Sequence, residues 1–181
     1  MSTVGVLALQ GAFARHAALL ESLGHRVCTV RSAEDFHGLD GLVLPGGEST
    51  VQLSLIDRLG LEAPLRELAT SGRPILATCA GLILLARAVH NPDQRSFGLI
   101  DLEVTRNGWG RQVDSFEARS DDGTLPLVFI RAPRIAACGP GVEVLARYRT
   151  EPVLVRANTV TAATFHPELS GDPTIHARVF G

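Results

Sequence analysis

Three residues of this chain, Cys79, His166 and Glu168, have the chemical types and local surroundings that acyl-transfer chemistry requires. Cys79 lies in the segment Pro74-Ile-Leu-Ala-Thr-Cys-Ala-Gly81, where a short run that predicts a buried strand meets an apolar run that predicts a helix. A sharp strand-to-helix turn of the form G-x-S/C-x-G holds a nucleophile above the carboxyl end of a sheet. Ala77 replaces the first glycine of that pattern, which tightens the turn but does not forbid it. The start of the helix favours the thiolate, because its N–H groups and positive dipole end lie near the sulfur.

A cysteine nucleophile needs a base, and the segment His166-Pro-Glu168 supplies a candidate. Pro167 biases the residue before it towards an extended conformation, in which residues i and i+2 point to the same side. Glu168 is therefore predicted to orient the His166 imidazole and to stabilise its protonated form. The remaining histidines and cysteines are predicted to be ordinary: His16, His25, His37 and His90 as surface-like polar residues, His176 as a polar residue of the last helix, Cys28 as a space-filling residue and Cys138 as a loop residue.

The segment Pro45-Gly-Gly-Glu-Ser-Thr50 follows a predicted buried strand and precedes a predicted helix, with Ser49 as the candidate cap. Two glycines let backbone N–H groups approach a ligand closely. We expect the N–H groups of Gly47 and Ala80 to form an oxyanion hole, in which each donor contributes about 3–4 kcal/mol to the transition state. A tight turn or a phosphate nest stays open as the alternative, although no G-K-[ST] follows to make a Walker A loop.

The composition bounds the class of protein. The chain has 181 residues, 45% hydrophobic and 20% charged, with a net charge of −2, so we expect one globular domain over residues 1–181 and neither a nucleic-acid nor a membrane partner. The amino terminus predicts a first strand and not a signal peptide. The three cysteines include no C-x-x-C pair, so we expect no metal site and a cytoplasmic location. All 17 basic residues are arginine, so the chain cannot form a lysine Schiff base, and we expect no cofactor.

Alternating elements in the first half predict an α/β fold in three layers, with a mostly parallel central sheet flanked by helices, because near-continuous apolar strands need cover on both faces. Turn-separated alternating strands in the second half predict an added antiparallel region. The predicted strands are Thr3–Leu9, His25–Val30, Gly41–Leu44, Pro74–Thr78, Leu99–Arg106, Gln112–Arg119, Leu127–Arg131, Val142–Arg149, Pro152–Arg156 and Val160–Phe165. The predicted helices are Phe13–Leu23, Thr50–Leu59, Leu61–Thr70 and Thr174–Phe180, besides the one that follows Cys79.

Several segments along the whole chain match motifs of a known family: Val6-Leu-Ala-Leu-Gln-Gly11, Leu44-Pro-Gly-Gly-Glu-Ser-Thr50, Thr78-Cys-Ala-Gly81, Arg106-Asn107, Gly110-Arg-Gln112, Asp114-Ser-Phe-Glu117, Phe129-Ile-Arg-Ala-Pro133 and Phe165-His-Pro-Glu-Leu169. With these motifs the chain resembles the class I (triad) glutamine amidotransferases, and more narrowly the glutaminase subunits of pyridoxal 5'-phosphate synthases. The Cys and His-x-Glu pattern alone indicates only an amidotransferase; Pro-Gly-Gly-Glu-Ser-Thr and Arg-Asn-x-x-Gly-Arg-Gln are typical of the narrower group.

The resemblance implies a flavodoxin-like fold and hydrolysis of L-glutamine, with Cys79 as nucleophile, His166 as general base and then acid, and Glu168 as its orienter. It implies a glutamine pocket formed by Gly47, Glu48, Ser49, Arg106, Ile130 and Arg131. It also implies a γ-glutamyl thioester intermediate, and a synthase subunit in the same hetero-oligomer that receives the ammonia through a closed tunnel. The sequence departs from the expected pattern at Ala77 and at Gly108-Trp109, where we expect a small residue followed by Phe or Tyr.

Three other functions remain open from the sequence. One is the glutaminase subunit of another amidotransferase, such as the one that serves imidazole glycerol phosphate synthesis. A second is a DJ-1-like stress protein with a cysteine elbow, which would not need the His166-Pro-Glu168 pairing. A third is a binding module with an inactive site, against which the complete set of catalytic residue types argues.

Overall fold

Strands and helices alternate through the first half of the chain, as the apolar pattern predicts. The computed structural model describes residues 1–109 and 115–181. The first half contains β1 (Thr3–Leu7), α1 (Phe13–Ser22), β2 (Arg26–Val30), β3 (Gly41–Leu44), α2 (Ser49–Arg58), α3 (Glu62–Thr70), β4 (Ile75–Thr78) and α4 (Ala80–Leu85).

The second half is dominated by strands. It contains β5 (Ala86–His90), β6 (Ile100–Thr105), β7 (Ser115–Arg119), β8 (Pro126–Ile130), β9 (Arg134–Cys138), β10 (Glu143–Tyr148), β11 (Glu151–Ala157), β12 (Val160–Ala163) and α5 (Thr174–Phe180). Short 3₁₀ turns lie at Ala33–Phe36 and Pro167–Leu169.

Within the described residues, the main sheet has seven strands in the order β10-β11-β12-β4-β3-β1-β2. The pairs from β12 through β4, β3 and β1 to β2 are parallel, and β10-β11-β12 are antiparallel. In the three-stranded sheet β5-β6-β9, β5 and β6 are parallel and β6 and β9 are antiparallel, and β7 and β8 form an antiparallel hairpin. The predicted mostly parallel sheet with an antiparallel region is confirmed.

Side chains of the central strands enter two hydrophobic cores, one on each face of the main sheet. In β4, Ile75 and Ala77 pack with α2, α3 and α4, whereas Leu76 packs with α1, α5 and the β7-β8 hairpin. This alternation follows from the period of two in a strand. Burial on both faces explains why β3 is apolar throughout and why β4 is apolar except for Thr78, and it confirms the three layers.

Strand order brings three chain segments to one edge of the sheet. β12, β4 and β3 are neighbours and run parallel, so their carboxyl ends meet at the same edge. The residues that follow these strands are His166, Cys79 and the Gly46-Gly47 pair. In open α/β sheets ligands bind in the crevice outside the carboxyl ends of the strands. The fold therefore gathers the three sequence motifs at the expected place.

Two strands and two local details differ from the sequence predictions. The strands β5 and β9 were not predicted; β5 continues directly from the apolar run of α4 with no Gly or Pro between them. Cys138, predicted as a loop residue, is the last residue of β9 and is half-buried. Ser49 is the first residue of α2 and does not cap it; its hydroxyl donates to Gln94 Oε1 at 2.8 Å.

The other predicted elements are present with ends shifted by a few residues. The first three residues of the predicted strand Gln112–Arg119 lie outside the described residues, and β7 covers the remainder. Among the described residues, no helix combines the length and apolarity that crossing a membrane would need.

Candidate active site

Cys79 lies at the joint between β4 and α4, where the backbone makes the predicted elbow. Its φ of 47° and ψ of −101° place a non-glycine residue in a strained region, which typically costs about 1–3 kcal/mol. Backbone pairing holds the turn, because the Cys79 N–H donates to the Ala163 carbonyl at 2.8 Å. The side chain is 6% exposed and lines a cavity at the edge of the sheet. Strain of this kind at a cavity is typical of a functional residue.

Two small residues near Cys79, Gly81 and Ala77, fit their positions for different structural reasons. A Cβ on Gly81 would lie 2.3 Å from the Leu44 carbonyl oxygen, so only glycine lets α4 approach the end of β3 this closely. Ala77 stands where the elbow pattern has its first glycine, yet it lies within β4 and is fully buried in the core beside α4. The departure from glycine at this position is therefore accommodated by the strand itself.

His166 and Glu168 form a buried hydrogen-bonded pair beside the elbow. His166 Nδ1 and Glu168 Oε1 are 2.7 Å apart, and the residues are 5% and 3% exposed. The predicted reason for this pairing is wrong: Pro167–Leu169 form a 3₁₀ turn, so the side chains meet across a turn and not along an extended segment. The main chain of His166 is fixed by its N–H, which donates to the Val128 carbonyl at 2.8 Å.

The remaining nitrogen of the His166 ring is available to the sulfur. Nδ1 is used by Glu168, and Nε2 is buried without a hydrogen-bond partner within residues 1–109 and 115–181. Burial acts to lower the pKa of His166, but the interactions of its ring with Cys79 and Glu168 outweigh burial and raise that pKa to about 10. Burial acts to raise the pKa of Glu168, but the His166 hydrogen bond and the nearby His16 and His166 rings bring it below its usual value. The pair thus favours an imidazolium beside a carboxylate.

The Gly46-Gly47 loop passes closely between two side chains of the site. A Cβ on Gly46 would lie 2.2 Å from His166 Cε1, and one on Gly47 would lie 2.3 Å from Gln10 Oε1. Gln10 Oε1 also accepts from the Glu48 N–H at 2.8 Å. An added Cβ at Gly46 would push against the buried ring of the base, whereas one at Gly47 would have to displace the Gln10 side chain.

The cavity measures about 210 Å³, which suits a small metabolite better than a drug-sized ligand. Arg106 and Glu48 meet in it, with Arg106 Nη2 at 3.1 Å from Glu48 Oε1. All of the pocket residues expected from the resemblance lie in its lining, namely Gly47, Glu48, Ser49, Arg106, Ile130 and Arg131, together with Cys79 and His166. Ala80, the second expected oxyanion donor, is the first residue of α4 and is not part of the lining.

Sequence reasoning missed three further residues of this lining, Gln10, Ile83 and Asn107. Gln10 and Asn107 belong to the matched motifs, and Gln10 follows the first strand, so its position after a strand was an available signal. The expected Gly110-Arg-Gln112 motif and Asp114 lie outside the described residues.

Two histidines predicted to be ordinary polar residues are instead fully buried behind the pair. His16 and His176 are both 0% exposed, and their Nδ1 and Nε2 atoms, respectively, are 2.8 Å apart. His16 Nε2 lies 3.3 Å from Glu168 Oε2 and 3.3 Å from Thr78 Oγ1. The prediction that His16 lies at the surface is wrong, because the face of α1 that carries His16 packs against the 3₁₀ turn that carries Glu168.

Trp109 packs in an aromatic cluster and is not part of the cavity lining. Its ring lies near Phe116, Phe129 and Tyr148 with centroid distances of 5.2–6.4 Å, and its Nε1–H donates to the Pro133 carbonyl at 3.0 Å. The indole therefore supports the β7-β8 hairpin, whose β8 strand ends at Ile130 beside the nucleophile.

A cysteine elbow beside a histidine–carboxylate pair, at the carboxyl ends of parallel strands, is the arrangement that nucleophilic acyl-transfer chemistry uses. The sequence profile described as the SNO glutamine amidotransferase family matches residues 6–180. The chain belongs to this family.

Curated relatives are similar over almost the whole chain. A protein of Koribacter versatilis is 49% identical over 177 residues, which cover 96% of this chain and 91% of that protein. One of Fervidobacterium nodosum is 43% identical, with 96% and 93% covered. Both are named pyridoxal 5'-phosphate synthase subunit PdxT. This agrees with the narrower resemblance and not with the imidazole glycerol phosphate or DJ-1-like alternatives.

Solved structures share the fold. A crystal structure described as a glutamine amidotransferase superposes with a TM-score of 0.91 at 44% identity, covering 97% of this chain and 96% of that one. The structure of PurLQS from Thermotoga maritima superposes with a TM-score of 0.75 at 16% identity, covering 99% of this chain and 98% of that one, a likeness that concerns the fold alone.

Proposed function

We propose that this protein is the glutaminase subunit of a pyridoxal 5'-phosphate synthase. It hydrolyses L-glutamine to L-glutamate and ammonia and delivers the ammonia to a separate synthase subunit. The observation that carries the proposal is the Cys79 elbow beside the His166–Glu168 pair, in a cavity that also holds Arg106 and Glu48. Family membership and the names of the curated relatives support the same function.

The reaction uses each member of the triad in turn. The Cys79 thiolate attacks the side-chain amide carbon of glutamine, and the resulting oxyanion accepts hydrogen bonds from the N–H groups of Gly47 and Ala80. His166 donates its proton to the departing nitrogen, which leaves as ammonia and gives a γ-glutamyl thioester. His166 then removes a proton from water, which attacks the thioester and releases glutamate. Glu168 fixes the His166 tautomer throughout, because it accepts from Nδ1.

The charged groups of the cavity match the two ends of a free amino acid. Arg106 can bind the α-carboxylate with its guanidinium fork, and Glu48 can accept from the α-ammonium. The two side chains are adjacent, with Arg106 14% and Glu48 39% exposed, so a zwitterion that inserts between them gains two partners of opposite charge. Gly47, Ser49, Ile130 and Arg131 enclose the remainder of the substrate in this proposal.

The division of labour between two subunits agrees with the residue types of this chain. The resemblance implies a separate synthase subunit that binds pentose and triose phosphates, and a chain without lysine cannot itself form a Schiff base with such carbonyl compounds. The proposed role of this subunit is therefore to supply ammonia, which must travel unprotonated through a closed path to the synthase subunit.

We propose further that residues 1–181 act as one domain in the reducing cytoplasm. One hydrophobic core joins the β5-β6-β9 sheet to the main sheet, which supports a single folding unit. The three cysteines, Cys28, Cys79 and Cys138, are free thiols, which fits a reducing compartment.

The test removes the nucleophile. The Cys79→Ala variant, assayed with the synthase subunit, should lose pyridoxal phosphate formation from glutamine and keep formation from ammonium salts. Cys28→Ala is the matched control, because Cys28 lies on β2 at the far end of the sheet order. Loss of both activities, or of neither, in the Cys79 variant would contradict the proposal.

A second measurement follows the nucleophile directly. Intact-mass analysis should show one adduct after treatment with a chloroketone analogue of glutamine, located at Cys79 and prevented by excess glutamine. Labelling with and without the synthase subunit then reports how far docking completes the site. Labelling of Cys28 or Cys138 with equal speed would argue against a glutamine pocket at Cys79.

A further inference from the structure

Behind Glu168, on the side away from the nucleophile, lie the two buried histidines already described. His16 comes from α1 and His176 from α5. Glu168 Oε2, the carboxylate oxygen that His166 does not use, has no formal hydrogen-bond partner among the described residues, and His16 Nε2 lies 3.3 Å from it. A buried carboxylate oxygen without a donor is costly, so the protonation of His16 Nε2 matters for the triad.

Both rings are neutral near pH 7. Burial is the main cause that lowers the pKa of His16 to about 4 and that of His176 to about 3. The titratable groups that face His16 are Glu168, His166 and His176, and the Thr78 hydroxyl is its remaining polar neighbour. A neutral imidazole has one N–H, so each ring can donate from only one nitrogen.

Only two arrangements of these protons are compatible with the 2.8 Å contact between His16 Nδ1 and His176 Nε2. If His16 donates from Nδ1, its bare Nε2 faces the Glu168 carboxylate, and the N–H of His176 moves to Nδ1. That nitrogen is buried without a partner in the described structure. If His176 donates from Nε2, His16 accepts at Nδ1 and directs an Nε2–H towards Glu168. The second arrangement leaves the acceptor His176 Nδ1 unpaired and lets the Thr78 hydroxyl, 3.3 Å from His16 Nε2, only accept there. It places a donor against the carboxylate, which the first arrangement does not.

We propose that His176 and His16 form a directional donor chain that ends on Glu168 Oε2, and that His16 is a positioning residue of the triad. The chain runs from His176 Nε2–H to His16 Nδ1, and from His16 Nε2–H to the carboxylate. Glu168 then has a donor on each oxygen, which holds it ionised with Oε1 aimed at His166. The 3.3 Å separation needs a movement of only about 0.4 Å to reach a usual hydrogen-bond length. The proposal rests on the proposed glutaminase function.

Two amide substitutions at residue 16 separate this role from simple space filling. His16→Gln places an amide N–H near the original Nε2 and can still donate to Glu168. His16→Asn reaches only the position of Nδ1, so it keeps the contact with His176 and loses the donor to Glu168. His25→Leu is the control, because His25 is half-buried and contacts Phe180 but no member of the triad.

The assay is steady-state glutamine hydrolysis by the full chain with the synthase subunit present, measured as a function of pH. We expect His16→Asn to lower kcat about tenfold or more, with KM nearly unchanged, because a hydrogen bond to a charged group is lost. The acidic limb of the pH–kcat profile of His16→Asn should move to higher pH, since the carboxyl of Glu168 becomes easier to protonate. His16→Gln should restore both properties, and His25→Leu should retain both. Equal kcat values and unshifted acid limbs for the Asn and Gln variants would overturn the proposal.

A measurement on the unsubstituted protein keeps the test decisive if the variants fail to fold. Nitrogen-15 NMR distinguishes the two neutral tautomers of histidine, and we expect His16 to be protonated at Nε2 and His176 at Nε2. A His16 ring protonated at Nδ1 would refute the donor chain whatever the enzyme does. Absence of glutaminase activity in the unsubstituted complex, with the Nε2 tautomer present, would instead refute the proposed function and leave the hydrogen-bond chain standing.

Discussion

Replacing Gly46 by alanine should disable the enzyme by displacing its base. The added Cβ would lie 2.2 Å from His166 Cε1 and 2.8 Å from Nδ1, whereas ordinary contacts begin near 3.4 Å. Gly46 does not have a positive φ, so the effect comes from the contact and not from backbone strain. The ring must therefore move by about 1.2 Å, which is the difference between 3.4 Å and 2.2 Å.

Such a movement is large on the scale of catalysis. A misplacement of about 1 Å can cost about a hundredfold in rate, or ~2.7 kcal/mol in the activation free energy. The free energy of unfolding should fall by about 1–3 kcal/mol, as for other overpacked sites. We therefore expect Gly46→Ala to fold, to bind glutamine, and to hydrolyse it about a hundredfold more slowly.

The matched control is Gly41→Ala, at the start of the strand that ends just before Gly46. Its added Cβ would lie 2.8 Å from Phe180 Cε1, so it also overpacks the protein, but away from the site. Glutamate release with saturating synthase subunit gives kcat, and thermal unfolding by circular dichroism gives stability. Both variants should lose stability, and only Gly46→Ala should lose kcat. A folded Gly46→Ala protein with kcat within about threefold of the unsubstituted protein would refute the reasoning.

Three further predictions concern pH, substrate binding and packing. His16 and His176 have lowered pKa values of about 4 and about 3, so their stability contribution is present above about pH 6.5 and is lost as the pH falls towards those values. The free energy of unfolding, measured with urea, should fall by up to about 2.7 kcal/mol per pH unit between pH 6 and 5. A free energy of unfolding that stays constant over this range would contradict the burial of the two rings in their neutral form. In steady-state assays, Arg106→Ala should raise KM for glutamine about tenfold or more at nearly constant kcat. A change in kcat alone would contradict the proposal that Arg106 binds the α-carboxylate of glutamine. Gly81→Ala, whose Cβ would meet a backbone carbonyl at 2.3 Å, should lower the thermal midpoint more than Gly41→Ala, and an unchanged midpoint would show that α4 can shift freely.

Much of the architecture is predictable because it depends on local periodicity. Four apolar strands alternate with helices before residue 79, and that pattern admits few topologies besides a covered parallel sheet. The positions of Cys79 and His166 are predictable for the same reason, since each follows a central strand directly or closely. Their meeting in space then follows from the parallel order of β12 and β4.

The features that escaped prediction depend on contacts between distant segments. His16 lies on a helix whose local pattern gives no sign that the ring will be buried, because its partners are 152 and 160 residues further along the chain. The 3₁₀ turn at Pro167–Leu169 replaces the expected extended segment, although Pro167 biases only the residue before it. β5 was missed because an apolar run that passes from helix to strand carries no breaker at the boundary.

The place of β12 between β11 and β4 has a consequence for biosynthesis. β4 pairs on one side with β3, which is made earlier, and on the other with β12, which is made more than eighty residues later. While a ribosome translates the intervening segment, the mostly apolar strand that leads into Cys79 has an unpaired edge. Such edges template association with other chains, so the nascent polypeptide is most vulnerable to aggregation in this interval and to chaperone capture. The arrival of β12 closes that edge and, in the same event, brings the base to the nucleophile.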